Sequence, residues 1–211
     1  YDLCGQFTFV CKWVMDSYAY FPSFIYRKEI PEWVEETLKQ VEKHYREAQK
    51  YTKEDSVVVQ TMHMAKDPEL TYLTSYFRDM GVSILKGQGY LTDDHEFYIS
   101  GMWGQELKCN GGHTSHVHGD SQISGFYFLE APKGGSYPIF EDPRAGKLMT
   151  DLFSAQSNEV TPATQRVHFD NVIPGTMMMF NSWLPHSIMQ STVDAPTKFV
   201  HFTLGQKRRF M

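Results

Sequence analysis

The sequence predicts a mainly β protein with flanking helices, an α+β fold built around a jelly roll. Three observations predict it. From residue 94 onward, eight short segments rich in β-branched and aromatic residues follow one another, each bounded by Gly, Pro, Asn or Asp. The two clearest helical periodicities both fall before residue 94. The length of 211 residues suits one domain and a core that needs no staples. Residues 1–93 then read as a helical and mixed support, and residues 94–211 as the β core.

Taken in order, Gln6 to Met15 is rich in β-formers and predicts a strand. Ile30 to Tyr51 predicts a helix, because Val34, Leu38, Val41, Tyr45 and Ala48 recur every three or four residues with charges between them. Pro31 suits its first turn. Ser56 to Thr61 reads as a short strand. Pro68 to Leu85 predicts a second helix with Leu70, Leu73, Phe77, Met80 and Ile84 on one face, ended by Gly87 and Gly89. The eight β segments lie near 96–105, 111–118, 123–130, 137–141, 166–172, 176–181, 185–191 and 197–204. The longest gap, 146–162, leaves room for a helical turn around Leu148 to Phe153 or for a flap.

Composition narrows the function classes. A net charge of −5, with Lys207-Arg208-Arg209 as the sole basic cluster, argues against charge-driven binding of nucleic acid or membrane. No run of about 18 apolar residues predicts a membrane span. Three cysteines (Cys4, Cys11, Cys109) without paired spacing argue against a disulfide framework and fit a reducing compartment. With no leader pattern at the start of the sequence, the expected location is cytoplasmic.

Chemistry concentrates in histidines. Alternation along a strand puts His116 and His118 on one face, about 7 Å apart along the chain. Alone, such a pair is ordinarily structural, and a lone histidine such as His186 after an apolar strand is ordinarily packed. Together, two potential ligands two apart followed some 70 residues later by a third outline a facial three-ligand iron site. A second register, His118-Gly-Asp120, offers Asp120 in place of His116. Gly119-Asp120-Ser121-Gln122 reads as the tight turn after the strand, which favours the three-histidine set.

Three quoted pieces carry a family resemblance: His116-Val-His118, Ser124-Gly-Phe-Tyr127-Phe-Leu129, and Pro174-Gly175 through Phe180-Asn-Ser182-Trp-Leu184-Pro-His186. Phe140-Glu-Asp142-Pro143-Arg144 joins them. Residues 96–204 resemble the double-stranded β-helix (cupin-like) of 2-oxoglutarate/Fe(II) oxygenases of the prolyl-hydroxylase-like kind. The resemblance implies Fe(II), the small-molecule co-substrate 2-oxoglutarate and O2. It implies iron ligands at His116, His118 and His186, with Asp120 as the alternative. It also implies a cation and a hydroxyl for the distal carboxylate of 2-oxoglutarate, at Lys198 and Tyr127. The reaction implied is hydroxylation of a peptide, protein side chain or small molecule, with release of succinate and CO2. Relatives usually carry His-x-Asp and an arginine at the place of Lys198, so both sites depart from the common pattern.

Among other residues, Trp103 and Gln105 share a face and are candidates to line the pocket. Arg144 reads as a turn anchor, Met177 to Met179 as core, and His113, His168 and His201 as structural or surface groups. Two further classes remain open: a cupin-like metal enzyme that does not use 2-oxoglutarate, and a metal-free jelly-roll binding module.

Overall fold

The computed structural model describes residues 21–149, 152 and 160–209. The expected strand Gln6 to Met15, Cys4, Cys11 and the Phe153 end of the expected helical turn lie outside the described residues. A 3-10 turn does occupy Ala145–Met149.

Both helices form where the apolar spacing puts them. Helix α1 covers Val34–Gln49, entered through a 3-10 turn at Pro31–Trp33, and buries Thr37, Val41, Tyr45 and Ala48. Helix α2 covers Thr71–Gly87, entered through a 3-10 turn at Pro68–Leu70 whose N-terminal Asp67 side chain accepts from the Glu69 amide. Gly89 follows α2 at φ +88°, a left-handed conformation that glycine adopts without strain. No helix among the described residues is long and apolar enough to cross a membrane.

Among the described residues, ten strands form two antiparallel sheets. In chain order they are β1 (Ile25–Glu29), β2 (Val58–Gln60), β3 (His95–Leu107), β4 (His113–His116), β5 (Ile123–Glu130), β6 (Pro138–Glu141), β7 (Arg166–His168), β8 (Thr176–Asn181), β9 (His186–Ile188) and β10 (Thr197–Arg208). The major sheet runs β1-β8-β5-β10-β3-β2 and the minor sheet β4-β9-β6-β7. All eight expected β segments after residue 94 are strands, and this two-sheet arrangement is a double-stranded β-helix. Strand β1 was not expected from sequence. Its Ile-Tyr-Arg-Lys-Glu is too charged to read as a strand alone, and it forms by pairing with β8 along the edge of the sheet.

The major sheet is buried on both faces. Its outer face carries Ile123, Tyr127, Leu129, Met177, Met179, Val200, Phe202 and Leu204, which pack against Val41 and Tyr45 of α1 and Leu73 and Phe77 of α2. Phe77 stacks on Phe202 with ring centroids 3.9 Å apart. Its inner face carries Phe126, Phe128, Met178, Phe180 and Phe199, which meet Phe140, Leu184 and Ile188 of the minor-sheet side. The methionine run therefore divides between the two cores by parity, which is why Met177 to Met179 read as an unbroken apolar run.

The Ser-Gly pair that opens β5 has a packing reason. Ser124 and Ser182 share a buried hydroxyl contact of 2.8 Å, joining the second and third motif pieces. A Cβ on Gly125 would lie 2.3 Å from the Phe202 ring and 2.6 Å from the Met178 carbonyl oxygen. The ring is held by Phe77 and the carbonyl belongs to a ladder, so neither yields easily. Gly125→Ala is expected to lower stability by about 1–3 kcal/mol, the cost of overpacking a filled core. Urea unfolding of the variant checks this, and an unchanged midpoint would show that the strand accommodates the methyl group.

Candidate metal centre

The minor sheet brings the histidines together. Strands β4 and β9 pair antiparallel with His116 opposite His186. The chain beyond β4 is tied to the β8–β9 connection by the His118 amide, which donates to the Ser182 carbonyl over 2.9 Å. His118 thus lies over the same point from a second direction. Ring centroids are 4.4 Å apart for His116 and His186, 5.0 Å for His116 and His118, and 5.2 Å for His118 and His186. One ring nitrogen from each falls within 4.8 Å of the others. Asp120 stands exposed in the turn after this segment and is not part of that group.

Two tautomers are fixed by the backbone. The Nδ1 atoms of His116 and His186 lie 2.9 Å from the carbonyl oxygens of Thr114 and Leu184. A carbonyl only accepts, so both Nδ1 atoms carry the hydrogen and both Nε2 atoms keep a lone pair. Metal-binding histidines are commonly oriented in this way. The Nε2 atoms of His118 and His186 are buried with no hydrogen-bond partner among the described residues, a costly state for polar groups unless a ligand meets them. Phe126, Phe140 and Phe180 surround His186, with Phe180 closest at 4.6 Å.

Burial also keeps His118 and His186 neutral. It pushes His186 down to about 3 and, with the neighbouring His116, His118 down to about 4. His113 and His201 are lowered by the same cause. Neutral imidazole is the form that ligates a metal.

A small cavity of about 150 Å³ adjoins the cluster, lined by Gln60, Trp103, Gln105, His113, His116, Phe126, Ile188 and His201. It is smaller than the pockets that hold drug-sized ligands, so it suits a small molecule. Trp103 and Gln105 line it as their shared face predicted. A larger cavity of about 320 Å³, lined by Ile25, Glu141, Arg144, Thr161 and Gln165 among others, includes none of the histidines. Arg144 there anchors its turn, donating to both carboxylate oxygens of Asp142.

Two expected site residues require correction. Tyr127 and Lys198 were expected to meet a carboxylate inside the β-helix, and both face the helices instead. The Tyr127 hydroxyl donates to the Ile30 carbonyl over 2.8 Å, and its ring sits in the outer core beside Phe77. Burial pushes the phenol up, so it remains a donor. Lys198 lies 3.3 Å from Glu130 and 3.8 Å from Glu106, near the ring of Tyr45 on α1. The physical reason is parity: the inward residues of β5 and β10 are Phe126, Phe128, Phe199 and His201. The pairing of β10 with β3 is unbroken from Thr197 to Thr203, so Lys198 shares the outward side of Val200 and Phe202, and the extra residue at the shift against β5 is Leu129.

His201 requires the opposite correction. Expected to be structural or at the surface, it lines the cavity, stacked on Trp103 at 4.4 Å and 4.8 Å from the His118 ring. Gln60 and His113 were likewise missed as lining residues. The available signal was the alternation Val200, Phe202, Leu204 on β10, which assigns His201 to the other face.

Comparison with known proteins agrees with this frame. Residues 101–200 match the family described as "Putative 2OG-Fe(II) oxygenase". No curated protein matches the chain in amino-acid sequence. Among solved structures, a prolyl-4-hydroxylase from Pseudomonas putida superposes with a TM-score of 0.53 at 10% identity, covering 89% of this chain and 93% of that one. HygX from Streptomyces hygroscopicus, solved with nickel, 2-oxoglutarate and hygromycin B, gives 0.55 at 11% identity over 87% of this chain and 83% of that one. The epimerase SnoN, solved with Fe3+ and alpha-ketoglutarate, gives 0.57 at 11% identity over 89% and 82%. At such identities the structures speak for the fold alone, while the family match speaks for the segment that carries the histidines. Residues 101–200, set in a double-stranded β-helix, therefore resemble the 2OG-Fe(II) oxygenase family over the segment that carries the three histidines.

Proposed function

We propose that this protein is an Fe(II)- and 2-oxoglutarate-dependent dioxygenase that hydroxylates a peptide side chain or small molecule, with His116, His118 and His186 as its metal ligands. The observation that carries this reading is the convergence of three imidazoles from β4, the segment just after it and β9, two of them with Nδ1 held by a backbone carbonyl. Modest side-chain rotation, easiest for the exposed His116, would bring the three ring nitrogens onto one ion. The donor set fits a borderline metal such as Fe(II), with nitrogen in place of the usual carboxylate.

When bound, iron with 2-oxoglutarate and O2 supplies oxidative decarboxylation to succinate and CO2 and the power to oxidise a substrate C–H bond. The chain's own residues do the rest. The Thr114 and Leu184 carbonyls fix which nitrogen faces the metal. Phe126, Phe140 and Phe180 keep water away from the His186 side. Hydroxylation is the outcome we assign by analogy with the prolyl-4-hydroxylase of similar fold; the epimerase of similar fold marks epimerisation as the competing one.

Titration with Mn(II) or, without oxygen, Fe(II) is expected to show one tight site. His186→Ala should abolish it and Asp120→Ala should leave it within about twofold. Loss of the site in the Asp120 variant would move the ligand register to His118 and Asp120. Succinate formation by the iron-loaded protein tests the activity, and failure to bind or consume 2-oxoglutarate would favour a cupin-like metal enzyme.

Acidification gives a further prediction. Histidines held neutral by burial take up protons in the unfolded chain near their ordinary value of 6.5 but resist them when folded. The unfolded state then binds more protons, so the stability of the metal-free protein declines as pH falls from about 6.5 towards 4. Thermal melts of the metal-free protein across that range check this, and a flat profile would show that the rings are solvated.

A further inference from the structure

The cavity beside the histidines is lined by side chains with buried, unpartnered nitrogens and, among the described residues, by no lysine or arginine. Trp103 Nε1 and both ring nitrogens of His201 are buried with no hydrogen-bond partner among the described residues. The two rings are stacked 4.4 Å apart at 19°, so their unpartnered nitrogens lie in one stacked pair. The Gln105 side-chain amide donates to the Gln60 side-chain oxygen over 2.8 Å. Both glutamines and Phe126 line the same cavity as this pair. Lys198, the cation expected for the family's diacid, is held between Glu106 and Glu130 on the far face of the sheet. Phe128 and Phe199 are packed on the inward face beside it.

Two of these nitrogens need a ligand for a reason independent of any metal. A buried N–H without an acceptor costs more free energy than one left in water, and stacked aromatic rings cannot turn to find a partner elsewhere. The cavity admits only a small molecule, and at least one ring nitrogen of His201 is a donor in either protonation state. A carboxylate is the small acceptor that takes two or three convergent N–H groups at once.

We propose that the distal carboxylate of 2-oxoglutarate is received by neutral donors, Trp103 Nε1 and the N–H of His201, with the Gln60–Gln105 amide pair closing the end of the cavity, and not by Lys198 or Tyr127. The inference rests on the oxygenase reading above. It assigns Trp103 and His201 as binding residues that touch the co-substrate. It leaves Lys198 and Tyr127 as residues that hold the helices to the sheet.

The test is calorimetric titration of 2-oxoglutarate, and of 2-oxopentanoate, into Mn(II)-loaded protein. 2-Oxopentanoate has a methyl group where the distal carboxylate stands. Wild type is expected to prefer 2-oxoglutarate. Trp103→Phe and His201→Phe should each weaken 2-oxoglutarate binding by at least about tenfold, the scale of one hydrogen bond to a charged group. They should leave 2-oxopentanoate and Mn(II) binding within about twofold. Lys198→Ala should leave all three unchanged. Trp103 fluorescence gives an independent readout: a change on adding 2-oxoglutarate in wild type should disappear in the Trp103 variant. The inference is overturned if Lys198→Ala removes 2-oxoglutarate binding while the Trp103 variant retains it. Should His201→Phe fail to fold, the conservative Trp103→Phe alone decides. Absence of Mn(II) or 2-oxoglutarate binding in wild type would instead overturn the oxygenase reading, and this inference with it.

Discussion

Strand alternation across a sheet buried on both faces is the constraint on which the rest of this structure depends. Every residue of β5, β8 and most of β10 must enter one of two interiors, the outer core under α1 and α2 or the space between the sheets. No solvated face is left to absorb an error of one position. The same rule that sends Met178 and Phe180 inward sends Met177 and Met179 outward. It also separates Phe126 and His201, which face the histidine cluster, from Tyr127 and Lys198, which face the helices.

The histidine cluster depends on that rule at one remove. His116 and His186 are neighbours because β4 and β9 pair in a single register, and His118 joins them because its amide is tied to Ser182. The shared contact of Ser124 and Ser182 then links the minor-sheet corner to the major sheet, so ligands and cavity wall are positioned by one connected set of bonds. The energetic cost of the arrangement is visible in the orphaned nitrogens of His118, His186, His201 and Trp103. Native cores seldom leave such groups unmet, and their concentration around one small cavity marks where ligands belong.

Much of this was legible along the chain. The eight β segments after residue 94 and both helices follow from turn residues and apolar spacing, because those signals are local. The three histidines were identifiable as a set because their two elements carry recognisable motifs. What could not be read was the register. Strand β1 exists only because β8 offers it an edge, and its own charged sequence gives no sign of it. Nor does alternation say which side of β10 faces inward: Lys198, Val200 and Phe202 share one side, and only the packing of that side against α1 and α2 turns Lys198 away from the cavity and His201 into it.

The sequence by itself determined the element order, the apolar faces and the identity of the histidine triad, since each rests on spacing within a few residues or on a motif. Only the tertiary structure decided which side chains share the cavity with that triad. A local pattern shows that two residues lie on the same side of one strand. It does not show which side faces which partner once helices cover one face and a second sheet covers the other. That choice is made by pairing between segments far apart in the chain, where a one-residue slip inverts every assignment.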